Sequence, residues 1–173
     1  MSKPSTALIA SALMLALAGC GGSHGPSSIS SSAAAPPAST PPASPPAAGG
    51  IKISSATIAG LGRVLVNAQG RTLYIFEPDK GTRVTCVSAC AAVWPPAFLP
   101  SGKKPAATAP VKQSLLGNDP DPAGGRVITY AGWPLYTYVT DTAAGQAKGQ
   151  ALNLNGGLWY VISPAGKVIT KKS

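Results

Sequence analysis

Apolar positions change pattern twice along this chain. Residues 7–18 are an almost unbroken apolar run, and residues 21–50 are nearly all Ser, Ala, Pro and Gly, with paired prolines at 36–37, 41–42 and 45–46. From Ile51 onward the apolar residues come in short blocks separated by turn formers. Such blocks are strand and hairpin signals. Val64–Val66 and Leu73–Phe76 flank Asn67-Ala68-Gln69-Gly70, and Val127–Tyr130 and Leu135–Val139 flank Ala131-Gly132-Trp133-Pro134. A third pair, Trp159–Ile162 and Lys167–Thr170, flanks Ser163-Pro164-Ala165-Gly166. Three hairpins are predicted, with Ile51–Ile58 as an opening strand. One short helix is predicted between Cys86 and Trp94, stopped by Pro95-Pro96. The expected class is mainly β.

The blocks repeat. Arg63-Val64-Leu65-Val66 followed by Gly70-Arg71-Thr72-Leu73-Tyr74-Ile75-Phe76-Glu77-Pro78-Asp79 returns as Arg126-Val127-Ile128-Thr129 followed by Gly132-Trp133-Pro134-Leu135-Tyr136-Thr137-Tyr138-Val139-Thr140-Asp141. Trp94 and Gly102-Lys103 return as Trp159 and Gly166-Lys167. Two related half-domains, about 63–103 and 126–167, explain this economically.

The first apolar run is too short for a bilayer, which needs roughly 20 helical residues. With Lys3 ahead of it, it reads as a secretory signal over residues 1–19. It ends in Leu17-Ala18-Gly19-Cys20, which resembles the lipobox of bacterial lipoprotein precursors. That resemblance implies lipidation of Cys20, palmitate included, and a membrane anchor that does not span. Residues 20–50 become a tether and residues 51–173 the domain. His24, the only histidine, falls in the tether. Gly21 stands where an aspartate is associated with inner-membrane retention, which leans toward the outer membrane if there are two.

Charge changes little. The formal net charge is +9, but the basic residues are scattered, and no dense stripe favours nucleic acid. With Cys20 lipidated, Cys86 and Cys90 remain to pair in an oxidising compartment. On a regular helix that spacing leaves Cβ atoms ~5–6 Å apart, wider than the ~3.8 Å of a relaxed disulfide. A bond there needs a distorted turn, or carries strain and reduces easily. The pair is accordingly a local staple holding Trp94 over the core or, alternatively, a thiol-redox or Cu(I)-handling site.

Catalytic sets are missing. Without a histidine in residues 51–173, Ser-His-Asp and Cys-His arrangements are excluded. No nucleophile elbow or phosphate-binding glycine loop appears. The carboxylates are Glu77, Asp79, Asp119, Asp121 and Asp141, and nothing marks an acid/base pair among them. The Gly117–Pro122 segment, rich in Pro and Asp, reads as an inter-repeat loop.

The doubled Tyr-x-Phe/Tyr-x-x-Asp, at Tyr74, Phe76 and Asp79 and again at Tyr136, Tyr138 and Asp141, resembles the signature of a secreted-repeat family of predicted bacterial lipoproteins. Gly70-Arg71-Thr72-Leu73-Tyr74, the Cys86-to-Pro96 segment and Gly156-Gly157-Leu158-Trp159-Tyr160-Val161 match its pattern too. The resemblance implies no agreed biochemical activity. On a strand, Tyr74 and Phe76 share one face and Ile75 takes the other. The aromatics are expected to pack the core, with Asp79 and Asp141 accepting backbone N–H groups in the turns beyond. The competing reading joins the two aspartates as a cation or ligand site, although calcium wants 6–8 oxygens.

The expectation for function is a non-enzymatic envelope lipoprotein that binds or scaffolds. It would hold the membrane through Cys20, meet an envelope protein or cell-wall polymer, and use no cofactor or metal. The alternatives are the redox or metal module at Cys86 and Cys90, and a glycan or small-ligand site built on Trp133, Trp159 and Asp141.

Overall fold

In the first predicted hairpin, Asn67 makes the turn: its Oδ1 accepts the N–H groups of Gln69 and Arg71 at 3.0 and 2.9 Å. Gly70 follows at φ +75°, a conformation that costs glycine little. The computed structural model describes residues 51–79 and 83–172. The signal, Cys20, the tether and His24 lie outside the described residues.

The strands, in order, are β1 (Lys52–Ile58), β2 (Gly62–Val66), β3 (Tyr74–Phe76), β4 (Phe98–Leu99), β5 (Ala106–Ala107), β6 (Leu116–Pro120), β7 (Arg126–Tyr130), β8 (Trp133–Pro134), β9 (Leu152–Leu154), β10 (Gly157–Ile162) and β11 (Val168–Ile169). Among the described residues one helix, α1 (Ala89–Val93), lies between β3 and β4, and single 3-10 turns occupy Glu77–Asp79 and Gln113–Leu115. The class is mainly β, as the pattern predicts. The described strands form three small sheets, in the orders β2-β1-β5, β11-β10-β3 with β9 on β10, and β4-β7-β6 with β8 on β7.

All three predicted hairpins are present, but the second has a tighter turn than expected: Trp133 and Pro134, expected in the turn, form β8, and of the expected arm Leu135–Val139 only Tyr136 makes a strand bridge. Leu73 donates to Leu65 at 3.0 Å across the first, which closes on the Val66–Thr72 bridge. The second pairs Thr129 with Pro134 and Tyr130 with Trp133. Its two turn residues, Ala131 and Gly132, have φ +51° and +81°, the pattern of a two-residue turn whose twist matches its strands. The third pairs Val161 with Ile169 and Ile162 with Val168.

Two other segments differ from expectation. Gly117–Pro122, read as a loop, supplies β6, each of whose residues pairs with β7 from Leu116↔Tyr130 to Pro120↔Arg126. Proline is tolerated because it ends an edge strand, where its missing N–H is not needed. The helix is shorter than the Cys86–Trp94 span. Ser88 sits at φ +53°, so the helix begins only at Ala89 and Cys86 stays outside it.

Alternation along the strands divides the interior into two clusters. Ile53, Leu65, Leu73, Ile75, Ile128, Leu135 and Ile162 belong to one. Val64, Tyr74, Phe76, Trp94, Tyr136, Trp159 and Val161 belong to the other. Tyr74 and Phe76 therefore face one way and Ile75 the other, as period-two geometry requires. Burying each large apolar side chain contributes roughly 1.5–3 kcal/mol.

The two repeats exchange strands. Tyr74 and Tyr136 pair with each other, Tyr74 N–H to Tyr136 O at 2.8 Å and Tyr136 N–H to Tyr74 O at 2.9 Å. On its other side Tyr74 pairs with Val161 of the second repeat, while Tyr136 bridges Pro96 of the first. Val161 lies two residues past Trp159 and Pro96 two past Trp94, so the pairings are equivalent. A local pseudo-twofold axis runs between the two tyrosine backbones.

Candidate functional site

The repeated motif converges at that axis. Strand β3 aims the Tyr74 side chain into the aromatic cluster, where its hydroxyl donates to Asp141 Oδ2 at 2.5 Å. The Tyr136 hydroxyl returns the bond to Asp79 Oδ2. Each tyrosine thus meets the aspartate of the opposite repeat, not the one five residues along. The other carboxylate oxygen serves its own repeat: Asp79 Oδ1 accepts Thr85 N–H at 2.8 Å and Thr85 Oγ1–H at 2.6 Å. Asp141 Oδ1 accepts Lys148 N–H at 2.9 Å. One carboxylate therefore pins a loop to its strand and locks the two halves together.

These groups are dry: Tyr74, Tyr136 and Asp79 are 0% exposed and Asp141 1%. Burial, reinforced by the Asp141 and Asp79 carboxylates, pushes both tyrosines far above their ordinary range. Burial also raises the Asp79 carboxyl, against the bonds from Thr85 and Tyr136 that favour its charged form. The aspartates therefore act as turn acceptors, with tyrosine added. Among the described residues no group of three or more His, Cys, Asp or Glu side chains stands close enough to hold a metal.

Around the crossed pairs the remaining motif aromatics stack. Trp94 and Trp159 stack in parallel, with centroids 3.8 Å apart and planes 2° apart. Phe76 caps Trp159 at 4.3 Å and Tyr138 caps Trp94 at 4.1 Å. Two glycines make room. A Cβ on Gly149 would come within 2.6 Å of the Trp94 ring, and one on Gly157 within 2.8 Å of Phe76. Trp94 and Trp159 recur in the sequence, but nothing in their spacing announces that they touch.

Cys86 and Cys90 form a disulfide with a Cα–Cα separation of 5.2 Å. Cys86 is buried against the aromatic cluster and Cys90 is partly exposed. The turn through Ser88 supplies the distortion that a regular helix would have lacked. Of the residues weighed for a glycan, Trp159 is wholly buried and Asp141 is engaged, while Trp133 packs partly against the other cluster. Asp121 caps a turn by accepting Ala123 N–H at 2.9 Å. Asp119 lies on β6, its carboxyl raised by burial against the pull of Arg126.

Sequence reasoning did not single out the open hollow of about 430 Å³ lined by Arg63, Pro110, Lys112, Ser163, Pro164 and Ala165. Its lining residues come from β2, the turn before Leu116 and the third hairpin, and two carry positive charge. Their wide separation in sequence left no local signal.

No curated protein and no solved structure matches the chain. A family model described as a secreted repeat of unknown function matches it twice, over residues 55–98 and 120–163. Both matches start earlier than the half-repeats read from the sequence, taking in much of β1 and the end of β6. Together they span about half of the chain, and each contains one Tyr–Asp motif. This protein belongs to the family described as the secreted repeat of unknown function.

Proposed function

We propose that this is a lipid-anchored protein of the cell envelope whose domain is a non-enzymatic binding or scaffold module. The signal over residues 1–19 is removed, Cys20 is acylated, and residues 21–50 tether the domain away from the membrane. One observation carries the non-enzymatic part: the duplicated polar residues are spent on each other, Tyr74 on Asp141 and Tyr136 on Asp79, inside a dry core. A motif used this way builds a rigid platform. The family's description as secreted supports a place outside the cytoplasm. The hollow between Arg63 and Lys112, with no carboxylate in its lining, supports an anionic cell-wall polymer as partner.

Labelling cells with a palmitate analogue tests the anchor. The full-length chain should take up label and fractionate with membranes, and Cys20→Ser should do neither. Cosedimentation with purified anionic wall polymer tests the partner. Binding should weaken with added salt and with Arg63→Ala/Lys112→Ala. Equal binding by that variant sinks the polymer reading, and an unlabelled wild type sinks the anchor.

A further inference from the structure

Phe76, Trp159, Trp94 and Tyr138 form one column with centroid spacings of 4.3, 3.8 and 4.1 Å and interplanar angles of 18°, 2° and 18°. Aromatic pairs usually settle offset or edge-to-face with centroids ~4.5–7 Å apart, not face to face. All three contacts are shorter than that range and within 18° of parallel, so the four rings make one continuous close stack. Parallel indoles this close overlap their π orbitals. Such a pair shares, and so stabilises, the hole left when one electron is removed.

Two tyrosines stand edge-on to the indoles, Tyr74 at 5.4 Å from Trp94 and Tyr136 at 5.2 Å from Trp159. A tyrosine gives up an electron readily only if its phenolic proton leaves at the same time, because the radical cation is a strong acid. Both have a base in place, Asp141 for Tyr74 and Asp79 for Tyr136. The indoles do not. Trp94 Nε1 has no hydrogen-bond acceptor among the described residues, and Trp159 Nε1 meets only the Leu154 carbonyl at 3.0 Å. An oxidised indole here keeps its proton and its mobile charge, whereas each tyrosine can release both. Tyr138, partly exposed, gives the column an end toward solvent, while Phe76 at the other end is buried.

From this arrangement we infer that the column is a relay for single oxidising equivalents, taken from an outer-sphere one-electron oxidant near Tyr138 and trapped at Tyr74 or Tyr136. The oxidant gains one electron and the hole rests on the Trp94–Trp159 pair. An electron then passes from Tyr74 to Trp94 while the Tyr74 phenolic proton moves to Asp141 Oδ2. The products are neutral Trp94, a neutral Tyr74 radical and protonated Asp141. Tyr136, Trp159 and Asp79 perform the same step in the other repeat. A one-electron reductant restores the tyrosine as the proton returns. The relay goes beyond the scaffold role and depends neither on the anchor nor on a wall partner.

Pulse radiolysis of the full-length protein in detergent, with azidyl radical as the oxidant and a pH-indicator dye present, tests the relay. The tryptophan radical-cation absorption should decay into tyrosyl absorption at a rate independent of protein concentration, with no proton reaching the dye. In Tyr74→Phe/Tyr136→Phe that silent transfer should be lost, and any tyrosyl signal left at another tyrosine should release its proton to the dye. Should that variant fail to fold, Asp79→Asn/Asp141→Asn removes the bases at nearly constant volume and should lose the silent transfer likewise. The relay is overturned if the wild type forms no tyrosyl radical, forms it with proton release or at a concentration-dependent rate, or if silent transfer survives in the variants.

Discussion

Tyr74 donates to Asp141, 67 residues away and in the other repeat, at 2.5 Å, and the same oxygen of Tyr74 accepts Gly149 N–H at 3.3 Å. Removing the hydroxyl therefore strips two buried groups of a partner at once. Leaving a buried polar group unsatisfied costs about 1–3 kcal/mol. Tyr74→Phe should lower the unfolding free energy by that order in urea titration, with little change in slope. The pairing itself is tested by a double-mutant cycle with Asp141→Asn. A coupling energy between Tyr74 and Asp141, and none between Tyr74 and Asp79, is the expected result.

Asp79 gives a pH signature. Burial raises its folded-state carboxyl above the ordinary value, with Thr85 and Tyr136 opposing. The folded chain therefore holds this proton to higher pH than the unfolded chain, whose value is about 3.9. The contribution of Asp79 to stability is fully present below the unfolded value and is lost as pH rises through the folded one. Unfolding free energies of wild type and Asp79→Asn, measured across the acidic range, should show their difference falling with pH and then levelling. A difference that grows with pH would mean that the hydrogen bonds outweigh burial.

The hairpins were legible because their turns are chemical. Asn67 supplies its own acceptor, and Gly70 and Gly132 take positive φ. The β6 strand was not legible, since Leu116–Pro120 has no intrinsic preference for extension and owes its form to pairing with β7. At the site, the sequence showed that Tyr and Asp recur together and that the tyrosines and Phe76 share a strand face. It could not show the crossing. Within one repeat the nearest aspartate to Tyr74 is Asp79, and only the exchange of strands through Val161 and Pro96 turns each tyrosine to the far repeat. The family matches begin inside β1 and at the end of β6, whose hairpin roles have no motif residue to mark them.

Gly149 tests the aromatic column from outside the motif. Its backbone is not in the left-handed region, so alanine meets no conformational strain there. The obstacle is steric, a Cβ 2.6 Å from the Trp94 ring and 3.0 Å from Tyr74. Overpacking a tight core costs about 1–3 kcal/mol. Gly149→Ala should lower Tm and weaken the near-ultraviolet circular dichroism that the stacked indoles produce, with far-ultraviolet signal retained. An unchanged near-ultraviolet spectrum would mean that the column yields without separating its rings.

The disulfide separates the staple from the redox reading. Cys86 is 2% exposed and packs in the cluster that holds Trp94, so attack on its own sulfur must first open part of that cluster, whereas the Cys90 sulfur belongs to a partly exposed residue. The cross-link closes a very small loop, and its entropic contribution is only about 2 kcal/mol. Cys86→Ser/Cys90→Ser should therefore fold, with a Tm lower than wild type, and should keep the wild type's behaviour in cells. Structural disulfides of exported proteins lie below about −300 mV, and thiol labelling of the full-length protein in dithiothreitol buffers should find this pair there. A value nearer about −200 mV, together with a cellular defect in the double serine variant, would instead identify the partly exposed Cys90 as the point of attack of an exchanging pair.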